Sequence, residues 1–134
     1  MKKIIGRILS LFLLFLMACS TQQLTYYSIN KSLGQMAEKI DSDRSRILHL
    51  DKEGAPGYYY IIDNRGQVIY HPRKSLIGKD FSRYPFVKKI LEEKNGSFAM
   101  ETGGTDTSVF YRELSDGSVL CYTIESSRYT INRQ

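Results

Sequence analysis

The sequence predicts an α+β domain built on a five-stranded antiparallel sheet, and three observations carry that prediction. Early in the chain, apolar residues recur at steps of three and four. Past the middle of the first half the period drops to two. The last third then reads as three short strands separated by turns rich in Gly, Asp and Ser.

Tyr26, Ile29, Leu33, Met36, Ala37 and Ile40 fall on one face of a helix. Gly34 sits inside that stretch and weakens it, so a bend is expected there. The charged run 41–46 reads as a solvated helix end, and the Gly- and Pro-bearing run 52–57 as a loop. Residues 58–62 are aromatic and β-branched, Asn64-Arg65-Gly66 makes a turn, and 67–71 returns as a second strand. Both faces of the first strand are apolar, so the sheet needs a cover on each side.

Pro72 ends the hairpin, and 73–83 is a loop containing Gly78. Tyr84-Pro85 leads into a short helix with Phe86, Val87, Ile90 and Leu91 on one face and Lys88, Lys89, Glu92 and Glu93 on the other. Asn95-Gly96 suits its C-terminal cap. Strands are expected at 97–102, 108–114 and 119–126, with turns at 103–106 and 115–118 that force antiparallel neighbours.

The first eighteen residues stand apart from this domain. Lys2, Lys3 and Arg7 precede an apolar run, 8–18, that is too short to span a bilayer core of about 30 Å. Its exit, Leu16-Met17-Ala18-Cys19, resembles the bacterial lipobox, where the chain is cut before a cysteine that then carries acyl chains. The resemblance implies a signal peptide at 1–18 and a lipidated tether at 19–25 anchored through Cys19; the patterning of the rest gives one domain at 26–126 and a polar tail at 127–134. An ordinary cleaved signal with an incidental Cys19 is the alternative. Losing Lys2, Lys3 and Arg7 leaves sixteen basic against fourteen acidic residues, so the basic pI of about 9.2 belongs largely to the leader and argues for no nucleic-acid partner.

Cys121 is then the one cysteine left, so no disulfide forms within the mature chain. Its apolar neighbours make it a buried hydrophobe rather than a nucleophile. Only His49 and His71 supply imidazoles, and no carboxylates cluster beside them. No nucleophile–base pair, no Gly-rich phosphate loop and no paired carboxylates at a defined spacing are present. No catalytic residue, metal or cofactor is expected.

The run Tyr59-Tyr60-Ile61-Ile62-Asp63-Asn64-Arg65-Gly66-Gln67-Val68-Ile69-Tyr70-His71-Pro72, followed by Leu76-Ile77-Gly78-Lys79-Asp80, is similar to the signature of Cache domains. Asp80 to Phe86, the short helix, Asn95-Gly96-Ser97 and Ser115-Asp116-Gly117 continue the likeness, which covers about 26–125. The resemblance implies a PAS-like extracytoplasmic fold, with a long helix behind the sheet and a ligand pocket in front, under the loop and the short helix that join the second strand to the third. Asp63, Gly66, His71, Pro72 and Gly78 are its structural motif residues. In the family His71 caps the turn as the chain leaves the strand, while Asp63 reads from its own chemistry as fixing the hairpin turn.

Cache domains usually sit between two membrane helices, whereas no second apolar span follows Ser126, and there is room for one module only. The expectation is a lipid-anchored protein of the cell envelope, facing the periplasm or exterior, that binds a small molecule and passes signal or ligand to a separate membrane protein.

Cache ligands are mostly small carboxylates, amino acids and amines. Arg83 is therefore the leading candidate, since a guanidinium grips a carboxylate through two hydrogen bonds. The order Arg83-Tyr84-Pro85-Phe86 shifts the family's pattern by one residue. Ten tyrosines and no tryptophan supply walls with polar tips, so Tyr60, Tyr70, Tyr84, Tyr111 and Tyr122 join Arg83 as candidate ligand-binding residues. Strand alternation puts about half of the strand tyrosines on the pocket side. A rival reading is an envelope interaction or scaffold lipoprotein, a degenerate Cache fold whose pocket its own tyrosines fill. A front-face cavity lined by Arg83 and tyrosine hydroxyls separates the two.

Overall fold

The computed structural model describes residues 24–128. The leader, Cys19 and residues 129–134 lie outside the described residues. Helix α1 (Tyr26–Ser42) opens at a capping box: the Thr25 hydroxyl accepts the Ser28 amide at 3.1 Å, and the Thr25 amide donates to Ser28 Oγ at 2.9 Å. Two groups otherwise left orphaned at a helix start are thereby paired. The helix runs unbroken through Gly34, in place of the expected bend. What glycine supplies there is room, because a Cβ would meet the Arg112 guanidinium at 2.1 Å.

A 3-10 helix (Arg44–Lys52) follows where the sequence led us to expect only a solvated helix end. Asp43 caps it, accepting the Ser45 amide at 3.0 Å. Leu50, almost fully buried, fastens it to the core. The junction is tied to residues 115 and 116, distant in sequence, since Asp41 accepts both the amide and hydroxyl of Ser115 and Arg44 pairs with Asp116 at 2.6 Å. Burial works against the charge on Asp116, but hydrogen bonds from Ser118 and Arg44 outweigh it and hold the carboxyl at about 2.

Strands β1 (Tyr58–Ile62), β2 (Val68–Tyr70), β3 (Gly96–Thr102), β4 (Thr105–Glu113) and β5 (Val119–Glu125) form one antiparallel sheet in the order β2-β1-β5-β4-β3. Helix α2 (Pro85–Glu93) lies in the β2–β3 connection, as expected for this fold class. β4 starts three residues earlier than its sequence indicated. Gly103 and Gly104 both take positive φ, so a two-residue turn lets Thr102 pair with Thr105. The α2 cap also differs: Lys94, at φ 65, takes the left-handed position expected of Asn95-Gly96, and Gly96 opens β3.

Each face of the sheet carries its own core. Behind, Tyr59, Ile61, Phe110, Leu120, Tyr122 and Ile124 pack against the α1 residues Ile29, Leu33, Met36, Ala37 and Ile40. In front, Tyr60, Ile62, Val109, Tyr111, Val119 and Cys121 pack with Val68 and the α2 residues Val87 and Ile90. A buried Ile or Val of this kind contributes about 1.5–3 kcal/mol. The doubly apolar β1 is thus covered twice, which is why alternation is absent from its sequence.

Candidate functional site

Beyond the α2 contact, the front face holds a cavity of about 200 Å³. Its floor is a row set by register: Val109 of β4 lies opposite Thr123 of β5, which lies opposite Tyr58 of β1. Tyr60 joins from the next position on the same face, with Thr107, Met100 and Thr102 at the β3–β4 end. The roof is the connection after β2, which contributes His71, Leu76, Phe81 and Phe86.

That roof is stitched to the β1–β2 hairpin. The Val68 amide donates to Lys79 O at 2.9 Å, Gly78 to Val68 O at 2.8 Å and Phe81 to Gly66 O at 2.9 Å, while the Gln67 side chain donates to Gly78 O. Gly66 has φ 90, and the Ser82 backbone stands 2.9 Å from where a Cβ would lie. Only glycine permits both the turn and the close approach. In the same turn Asp63 Oδ1 accepts the amides of Arg65 and Gln67, each at 2.9 Å.

His71 is a wall of the cavity as well as part of the turn. Its Nδ1 accepts the Arg73 amide at 2.9 Å, so a neutral ring carries its proton on Nε2. Burial, with the Arg73 charge adding, lowers its pKa from the usual imidazole value. Its ring lies 5.4 Å from Tyr58 and 5.7 Å from Tyr60, centroid to centroid. Burial and the neighbouring Cys121 push the Tyr60 hydroxyl well above the usual phenol range, against the hydrogen bond from Thr123. Cys121, fully buried, has its thiol pushed up by burial. Among the described residues no three His, Cys, Asp or Glu side chains converge as a metal site.

Of the six candidate binding residues, Tyr60 alone lines this cavity. Arg83 is exposed on the outer side of the roof, where its charge adds to the Ser82 hydrogen bonds that lower the Asp80 carboxyl. Tyr84 is half exposed and stacks edge-on against Phe81 at 5.2 Å, outside the roof. Tyr111 shares the front face but sits under α2, its hydroxyl donating to the Glu93 carboxylate. Tyr70 packs against the helix-side core, and Tyr122 belongs to it. The parity of each strand decides this, because neighbours one residue apart face opposite ways.

Tyr122 instead latches the loop before β1. Its hydroxyl donates to Gly54 O at 2.8 Å and accepts the Gly57 amide at 3.0 Å. Tyr122→Phe strands both partners, and a loss of about 1–3 kcal/mol of stability is expected in urea titrations. A silent substitution would show that the loop is held some other way. Missed in the sequence were Tyr58, Thr107, Met100 and Thr123, which were readable only by extending the parity of Tyr60 across the paired strands.

No protein-family model matches the chain, and no curated protein matches it. Solved structures do. The extracellular domain of the putative histidine kinase mmHK1S-Z2 superposes with a TM-score of 0.50 at 18% identity, over 61% of this chain and 38% of that one. The fold is PAS-like, of the Cache type. Also similar are a methyl-accepting chemotaxis protein from Vibrio parahaemolyticus, with a TM-score of 0.49 at 15% identity over 75% of this chain and 83% of that one, and the ligand-binding domain of Mlp24 with asparagine, with a TM-score of 0.44 at 24% identity over 53% and 29%. This chain spans well under half the length of the Mlp24 and kinase domains. No helix of the described residues is long and apolar enough to cross a membrane.

Proposed function

We propose that this chain is the small-molecule-binding sensory module of an envelope protein, held at a membrane through lipids on Cys19 and reporting occupancy to a separate membrane protein. The cavity on the front of the sheet carries the reading. It lies under a roof that is stitched to the hairpin, in a fold shared with the extracellular domain of a histidine kinase. A roof made from the β2–β3 connection contacts a bound molecule directly, so filling the cavity stabilises the roof against the sheet. That gives a ligand differential affinity for one arrangement of the roof, which is what signalling requires. An open cavity with Tyr58 and Tyr60 in its wall favours this reading over the scaffold one, while Arg83, the other half of the expected lining, stands outside it. Arg83 keeps a role here only as an exposed cation on the roof's outer surface, where a partner can meet it.

The test uses the chain from Ser20 to Gln134, which retains every described element, in a thermal-shift screen of amino acids, short carboxylates, amines, purines and neutral aromatics. A ligand at a hundred times its dissociation constant adds about 2.7 kcal/mol, a rise of several degrees for a domain this size. Thr107→Leu, which places a larger side chain in the cavity, is expected to abolish the shift. A screen without any shift, or a shift that survives Thr107→Leu, would refute the reading.

A further inference from the structure

The chemistry of the cavity wall is more specific than its fold. Resting on the proposed binding role, we infer that the ligand is an uncharged, aromatic-sized molecule rather than an amino acid or carboxylate. No Asp, Glu, Lys or Arg lines the cavity among the described residues. Some of the polar groups that line it are already engaged: Thr107 Oγ1 donates to Thr105 O at 3.3 Å, and His71 Nδ1 holds the Arg73 amide. Among the described residues no buried side-chain nitrogen or oxygen lacks a partner. A pocket for a carboxylate or an ammonium group would offer it an opposite charge. This one has none, so a charged group brought into it loses its water and gains no counter-charge, which is strongly unfavourable.

Size and shape point the same way. The cavity measures about 200 Å³, and an apolar cavity of about 150 Å³ already accommodates benzene. Tyr58, Tyr60, His71, Phe81 and Phe86 present ring faces and edges around it, and Met100 adds a polarisable sulfur. The Nε2–H of neutral His71 and the Tyr58 hydroxyl are the groups suited to orient one hydroxyl or ring N–H of the ligand. Arg128 and Glu125 border an adjoining groove that shares Tyr58, Thr102, Thr107 and Thr123 with the cavity. These two charges already pair with each other at 3.4 Å.

The experiment compares matched probes by calorimetry on the Ser20–Gln134 chain. Phenol, benzyl alcohol and indole stand against benzoate, benzylamine and phenylalanine. The expected result is that the neutral probes bind about tenfold tighter or more than the charged ones, with Thr107→Leu abolishing their binding and Arg128→Gln leaving it unchanged. Tighter binding of benzoate, benzylamine or phenylalanine, lost in Thr107→Leu or in Arg128→Gln, overturns the uncharged class while leaving the sensory role standing. Neutral probes that bind equally well to wild type and to Thr107→Leu place the site outside the cavity and overturn the inference. Silence from both panels, alongside a hit from the amino acids, carboxylates or amines of the wider screen, rejects the uncharged class alone. Silence throughout both experiments rejects the binding role itself.

Discussion

Gly57→Ala is expected to destabilise the domain by about 3 kcal/mol or more, because the added methyl has nowhere to go. Its φ is not in the left-handed region, so backbone strain is not the cause. A Cβ would stand 2.3 Å from the carbonyl oxygen of Thr123 and 2.7 Å from the ring and hydroxyl of Tyr122. The Thr123 carbonyl belongs to β5, at the centre of the sheet between β1 and β4, and cannot retreat without disturbing both pairings. The loop must move instead, which breaks the bond from the Gly57 amide to Tyr122 and pulls on Gly54 through the same hydroxyl. The next residue, Tyr58, lines the cavity, so the roofed site should loosen along with the fold. Urea titration of the Ser20–Gln134 chain measures the cost. Lys52→Ala, an exposed change in the same connection, serves as a control expected to stay within about 0.5 kcal/mol. A Gly57→Ala loss below about 1 kcal/mol would mean that the loop slides aside freely.

The frame of this domain could be read from its sequence because each element announces itself locally. The 3.6-residue spacing from Tyr26 to Ile40 is α1, and the α2 amphipathicity is plain from Phe86 to Glu93. Gly66 and Gly78 both take positive φ, where the chain needs glycine. The site was less legible, for a definite reason. In Tyr58-Tyr59-Tyr60-Ile61-Ile62 both parities are apolar, since both faces are covered, so the pattern cannot say which tyrosines look toward α1. Pairing settles it: Tyr59 stands opposite Tyr122 on the helix side, and Tyr58 opposite Thr123 at the cavity. Choosing Tyr60 together with Tyr122 therefore mixed two faces.

The roof was illegible in a different way. It is irregular backbone, without a period to show which side chains point inward, and Phe81 and Phe86 turn in while Arg83 and Tyr84 turn out. The order Arg83-Tyr84-Pro85-Phe86, shifted by one residue from the family's pattern, was the one sign in the sequence against Arg83 lining this cavity as expected. In the 3-10 helix Arg44–Lys52 the one deeply buried residue is Leu50, too little to register as a pattern.

Cys19→Ser is expected to move the protein from the membrane pellet to the soluble fraction. Acyl chains contribute about 0.8 kcal/mol per buried methylene, so one chain gives marginal, reversible attachment and the two or three expected on Cys19 make it durable. No helix among the described residues is long and apolar enough to span a bilayer, and both apolar faces of the sheet are covered. The run 8–18 is itself too short to span, so an uncut leader in the variant holds the chain at a membrane weakly at best. Serine keeps the size and polarity of the side chain but lacks the thiol that the lipobox chemistry acylates. Cells fed a clickable fatty acid should label the wild-type protein and leave the Cys19→Ser protein dark, with carbonate washing of membranes releasing only the variant. Equal labelling of the two would show that the acyl chains sit elsewhere. A wild-type protein that is unlabelled and freely soluble would make Cys19 incidental to an ordinary cleaved signal.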